Sequence, residues 1–206
     1  FLKDSTMTFT RLSGADLAEV YYTNDANINE WDIVSLNGDG ISQVSKSIQA
    51  YDNKAIGIIS TKPGLVIGEA DGTGKPVVVW LSGRVPVKVS TKNGDILPGD
   101  YITTSDISWV GMKATEPGRV IGKALTGLSG TEHWTIVVFI QNTYFDGINE
   151  VEYNSFLNAN QNNSLSGIVN SPLDRFSFMV NKSLTKIDPS FSSGSMIWFG
   201  TAMNTL

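Results

Sequence analysis

Between Ser82 and Leu128 the chain writes short runs at period two and breaks each with a turn. Val85, Val87 and Val89 alternate with Pro86, Lys88 and Ser90, the pattern of a half-buried strand. Asn93-Gly94-Asp95 and Pro98-Gly99-Asp100 punctuate two turns, and Tyr101, Ile102, Thr103 and Thr104 start the next strand. Gly118 ends a loop before Arg119-Val120-Ile121-Gly122, another short apolar run. A stretch built this way folds as β-structure, and it carries no cluster of His, Cys or carboxylates that would announce chemistry.

The same order of signals occurs earlier. Ile28-Asn29-Glu30-Trp31-Asp32-Ile33-Val34-Ser35-Leu36 resembles Ile96-Leu97-Pro98-Gly99-Asp100-Tyr101-Ile102-Thr103-Thr104. Each is an apolar residue, a turn ending in Asp, then a β-rich run. Ala55-Ile56-Gly57-Ile58-Ile59 likewise echoes Arg119-Val120-Ile121-Gly122-Lys123-Ala124. Two matches in the same order predict a degenerate internal duplication. An Asp after a turn accepts backbone N–H bonds and fixes the chain's path into a strand. The expected fold is all-β, a compact barrel or sandwich made of two related halves.

Length and charge narrow the class. The 206 residues suffice for one large β domain, or for a domain with an appendage. Charged residues are 17%, below the usual quarter, and Ser, Thr, Asn and Gly fill the surface positions instead, as in extracellular and fibre proteins. A net charge of −5 with scattered basic residues argues against a nucleic-acid partner. With no cysteine there is no disulfide framework, thiolate nucleophile or thiolate metal site. No apolar run reaches membrane-spanning length, so membrane insertion is not expected. The sequence starts at Phe1 and is read as a piece of a longer protein.

Three regions are expected. Residues 1–12 read as a lead-in strand or linker. Residues 13–142 hold the β signals, with strands expected at 31–36, 55–60, 64–68, 76–81, 84–90, 100–104, 119–125 and 134–140. Ile136-Val137-Val138-Phe139-Ile140 reads as a strand buried on both faces. Residues 143–206 are an Asn/Ser-rich, β-rich extension. Its strand-like clusters, Phe176 to Val180 and Met196 to Phe199, need a cover on the domain or on a neighbouring subunit, and only 150–158 hints at a helix.

Groups capable of chemistry are sparse. His133, the one histidine, precedes a strand and reads as a turn residue rather than part of a Ser–His–Asp site, and no metal or cofactor is expected. Asn24-Asp25 and Asn37-Gly38-Asp39-Gly40 lack the spacing of a calcium loop and read as hairpin turns. Gly68 to Gly74 is glycine-rich but opens no helix, which argues against a phosphate loop. Trp31, Trp80, Trp109, Tyr21, Tyr22 and Tyr51 form either a sugar-stacking face or parts of a core or interface. In Ser13-Gly14-Ala15-Asp16-Leu17-Ala18-Glu19 two carboxylates stand three residues apart. Such a pair can divide acid and base roles. The alternative is a lead-in turn in which Ser13 and Asp16 cap while Leu17 and Val20 turn inward.

Gly14-Ala15-Asp16-Leu17-Ala18-Glu19 resembles the GADYAE-type opening of the peptidase G2 domain. That domain is the intramolecular-chaperone autoprocessing domain of phage tail-spike and neck-appendage proteins, with related domains in bacterial surface proteins. The blocks that follow keep a similar order: Asp32-Ile33-Val34-Ser35-Leu36, then Ile56 to Thr61, then Pro63-Gly64, then Gly83 to Val89, then Gly99-Asp100-Tyr101. The resemblance covers about residues 13–142. It implies a trimeric β-rich module that assists fibre folding and, in processing members, cuts itself free, with Asp16 and Glu19 as its catalytic acids. Two departures count against cutting here: Leu17 replaces the frequent aromatic, and Phe1 to Ala15 remain attached. The expected function is therefore an assembly or oligomerisation domain of an extracellular fibre, tail or surface appendage, whose partner is itself as a trimer or filament. The alternatives are a self-cleaving glutamic-type endopeptidase and a carbohydrate-binding module that takes a surface glycan.

Overall fold

The computed structural model describes residues 17–38, 42–60, 62–68, 72–130, 133–159 and 172–187. The expected lead-in strand, Ser13, Asp16 and the Met196 to Phe199 cluster lie outside the described residues. The chain divides into two compact units, one ending at Phe145 and the next beginning at Asp146.

The first unit is all-β. Its strands are β1 (Leu17–Thr23), β2 (Ile33–Leu36), β3 (Val44–Lys46), β4 (Ala55–Ser60), β5 (Leu65–Ile67), β6 (Lys75–Ser90), β7 (Tyr101–Thr104), β8 (Gly111–Lys113), β9 (Gly118–Ala124) and β10 (His133–Phe145). All eight expected strands are present, and two of them, 76–81 and 84–90, are one continuous strand, β6. It runs through Gly83, whose φ of 123° a side chain would resist. The sequence reading missed β1, β3 and β8. The two short ones, Val-Ser-Lys and Gly-Met-Lys, are too brief to show a period.

The pairings form two rings of five strands that share β6. In the second ring β6 pairs antiparallel with β10, β10 with β9, β9 with β7 and β7 with β8, and β8 returns parallel to β6. In the first, β1 pairs antiparallel with β6, β6 with β4, β4 with β2 and β2 with β3. A parallel bridge from Tyr22 to Gln43 closes it. The order and the strand directions are the same. The duplication is thus real in three dimensions: β1, β2, β3, β4 and the first half of β6 match the second half of β6, β7, β8, β9 and β10. β5, parallel to β1, is an addition to the first copy.

Packing follows the same equivalence. The first ring holds Val34, Val44, Ile59, Val77 and Val79, with Tyr21 against them. The second holds Val87, Ile102, Ala124, Ile136 and Val138, which belong to a larger cluster that also takes in Ile33, Ile58 and Trp80 of the first copy. Burial of these apolar side chains is the main stabilising term, about 1.5–3 kcal/mol for each fully buried Val or Ile. In each copy a glycine lets two strands meet: a Cβ on Gly57 would lie 2.1 Å from the Trp80 carbonyl oxygen, and one on Gly122 would lie 2.1 Å from that of Phe139.

Two expectations for the first unit are corrected. β10 is not buried on both faces: Ile136, Val138 and Ile140 are buried, while Val137 (36% exposed) and Phe139 (41%) face outward, as does Tyr144 (67%) beyond the register shift. An apolar run alone does not distinguish a central strand from one whose outer face is apolar and bare. At the start of β1, Ala18 and Tyr22 are buried and Leu17 is exposed, so the inward residues of the expected turn are out of phase. A strand fixes a period of two, and Ala18 holds the inward place that Leu17 was given.

Among the described residues the second unit is helical rather than β-rich, with α1 (Glu150–Ala159) and α2 (Pro172–Ile187). Asn149 caps α1, its Oδ1 accepting from Val151 N at 2.9 Å and Glu152 N at 3.2 Å. Pro172 occupies the first position of α2, where its missing N–H costs nothing. Ile148, Tyr153 and Phe178 are buried together, with Phe156, Leu157 and Met179 beside them. Lys182 bonds Glu152, and Arg175 bonds Glu150 and Asp146. The Phe176 to Val180 cluster therefore lies on a helix. Its Ser- and Asn-rich surroundings favour helix weakly, which hid the period, and packing between the two helices decides the conformation.

Candidate functional site

Each copy contains one turn of the same design. In the first, Asp32 Oδ2 accepts from Asn29 N at 2.9 Å, and in the second Asp100 Oδ2 accepts from Leu97 N at 2.8 Å. Trp31 N donates to Ile59 O and Ile59 N to Asp32 O; Gly99 N donates to Ala124 O and Ala124 N to Asp100 O. A lysine on the neighbouring strand meets each carboxylate: Lys46 Nζ lies 3.7 Å from Asp32, and Lys113 Nζ lies 2.9 Å from Asp100. Lys46 faces Val34 in the ladder as Lys113 faces Ile102. The aspartates are thus the turn-fixing groups that the sequence pattern implies.

The copies differ at the residue before the aspartate. That residue must take a left-handed backbone. Gly99 does so at φ 93° and Trp31 at φ 67°. For a bulky side chain this conformation costs about 1–2 kcal/mol, and such departures gather where a side chain is needed for something else. Tyr51, at φ 52°, and Trp109, at φ 63°, are the other such residues among the described non-glycines.

Around Trp31 lies an open cleft of about 640 Å³ whose walls include Ile28, Ile59, Pro76 and Val77. Asn29, Glu30, Ser60, Lys75 and Lys88 supply its polar groups. The Asp32 carboxylate is buried behind it, and Lys88 Nζ donates to Asp32 Oδ1 at 2.8 Å. Lys88 also borders a smaller cleft of about 310 Å³ with Trp109, His133 and Trp134. Lys46 Nζ stands 4.1 Å from the ring centre of Trp109, a cation–π contact. Asp32 therefore gathers two lysines, and each lysine leads to a strained tryptophan: Lys88 N donates to Trp31 O at 3.4 Å, and Lys46 covers Trp109.

The residues expected from the sequence are distributed as follows. Glu19 is half-buried on β1, and its Oε2 accepts from the Tyr21 hydroxyl at 3.0 Å. Burial, followed by this bond to Glu19 and by the carboxylate's charge, pushes the Tyr21 hydroxyl up to about 12. The matching positions in the second copy are Val85 and Val87, both buried, so this polar pair is peculiar to the first copy. Of the six aromatics, Tyr22 and Trp80 are buried in the core and present no stacking face. Tyr51 is structural, its hydroxyl accepting from Thr115 N and Glu116 N. Trp31 and Trp109 remain, half-buried at clefts. His133 is exposed as the first residue of β10, not in a turn. Asp25 closes a local turn by accepting from Asn27 N. Among the described residues no group of three or more His, Asp or Glu side chains converges on one point. The sequence reading missed the junction of Asp32, Lys46 and Lys88; the signal available was the mismatch between Trp31 and Gly99 in the aligned repeats.

No protein-family model matches the chain, and no curated protein matches it.

Proposed function

We propose that the chain is an assembly domain of an extracellular fibre, tail or surface appendage, acting through contacts with further copies of itself. The observation that carries this reading is the outer face of β10, where Val137, Phe139 and, beyond the register shift, Tyr144 stand exposed, with Leu125 exposed on the chain just after β9. Exposed apolar side chains in such a row mark an interaction surface. Neighbouring copies cover this row in a trimer or filament. Light scattering on purified protein tests the reading: oligomers are expected for the native chain and monomers for Phe139→Asp. A native chain that stays monomeric at high concentration overturns it.

A second reading, self-cleavage in the manner of the peptidase G2 domain that the sequence resembles, has one observation in its favour. A hydrogen-bonded Glu19–Tyr21 pair stands where the other copy buries two valines. In the assembly reading Glu19 is structural and the Ala15–Asp16 bond stays intact. Intact mass on incubated protein separates the two. A fragment beginning at Asp16 that disappears in Glu19→Gln establishes the peptidase.

A further inference from the structure

We infer that the cleft beside Trp31 is a binding site for a sugar ring. The inference does not depend on the assembly reading, which rests on the outer face of β10 at Val137 and Phe139 rather than on the Trp31 cleft. The twin turn shows that the backbone needs only a residue tolerant of positive φ. Gly99 makes the same turn, with the same aspartate bond, and a Cβ there would meet nothing within 4 Å. Trp31 meets the same demand with the bulkiest side chain available. Part of its ring packs on the core, and the ring also walls the cleft. Its retention is explained by what an indole offers a ligand: a flat apolar surface fixed by a rigid turn.

The remaining walls specify the chemistry. A pyranose has one face of C–H groups and a rim of hydroxyls, each both donor and acceptor. The cleft sets an aromatic surface beside Glu30, an acceptor, and Lys75 and Lys88, donors. Ser60 adds a buried hydroxyl with no hydrogen-bond partner among the described residues, 8% exposed as a residue. Such a group is costly to leave unpaired. Glu30 in the lining opposes an anionic ligand, and Lys88 is already held by Asp32, so a neutral polyol fits the cleft better than a phosphate. The cleft size falls within the range of small-ligand sites, about 300–1,000 Å³.

The test uses the whole chain and a panel of methyl glycosides of glucose, galactose, N-acetylglucosamine and glucuronic acid, with their short oligomers. Binding is followed on the tryptophan indole N–H resonances, that of Trp31 being assigned by its loss in Trp31→Gly. At least one glycoside is expected to shift the Trp31 signal, and Trp31→Gly is expected to bind it about tenfold more weakly. Should Trp31→Gly not fold, Trp31→Asn takes its place, because Asn tolerates the same backbone. Leu97→Ser, in the twin turn, should leave affinity unchanged. The proposal is overturned if no glycoside moves the Trp31 resonance, or if the glycine or asparagine variant binds as well as the native chain.

Discussion

The turns ending at Asp32 and Asp100 are two answers to one structural demand. They share the carboxylate that ties the turn, the strand pairing and a lysine at the matching ladder position. They differ in that the first buries its aspartate more deeply, adds Lys88 as a second cation and carries Trp31 where the other has Gly99. A duplicated fold supplies its own control. What both copies keep is required by the architecture, and what one copy alone carries is not demanded by the shared turn.

The largest effects are expected where the copies agree. Gly57→Ala and Gly122→Ala each drive a Cβ into a backbone carbonyl, and each should cost roughly 3 kcal/mol in denaturant unfolding. A clear inequality between the two would break the equivalence of the rings at that crossing. Next come the aspartates. Asp32→Asn leaves Lys46 and Lys88 without a charge partner beside a buried site and should cost about 2 kcal/mol. Asp100→Asn, in a more exposed pair, should cost about 1 kcal/mol. Thermal melts of the two variants measure the difference, and equal losses would mean that depth and the second lysine contribute nothing. Gly99→Ala tests the backbone alone. It has room for its methyl group but must hold φ 93°, so a loss of about 1 kcal/mol is expected.

The smallest effect concerns Tyr21, which has Val87 as its counterpart. A tyrosine hydroxyl raised from 10 to about 12 favours the neutral form in the folded chain. Its contribution is present below pH 10 and is lost as pH climbs through 12. Tyr21→Phe should therefore flatten the alkaline loss of stability between those values. An unchanged profile would show that Tyr21 does not contribute to it.

Much of the β architecture was legible in the residues, because alternation at period two and Gly/Asp punctuation are local signals. The duplication was legible because Asp32 and Asp100 follow equivalent turns. Three-residue strands such as β3 and β8 were not legible, since their position is set by partners distant in sequence. The bare face of β10 was invisible for a related reason: Val137 and Phe139 are as apolar as the buried residues between them, and composition does not say what covers them. Of the site, Trp31 was readable as a candidate aromatic. Its meaning required the backbone angle and the knowledge of which glycine is its counterpart.

Strand β6 belongs to both rings without an intervening residue: Lys75 to Ser82 pairs with β1, and Gly83 to Ser90 pairs with β10. This sets an order of events as the chain is synthesised. The first ring has all its strands once Ser82 has emerged, whereas the second stays open until β10 arrives from beyond Ala124. Since the finished ring already holds the front half of β6, the back half is presented as a preformed edge on which the later strands collect. Damage to the first ring is therefore expected to slow closure of the second more than the reverse, and refolding rates of Gly57→Ala and Gly122→Ala measure the difference.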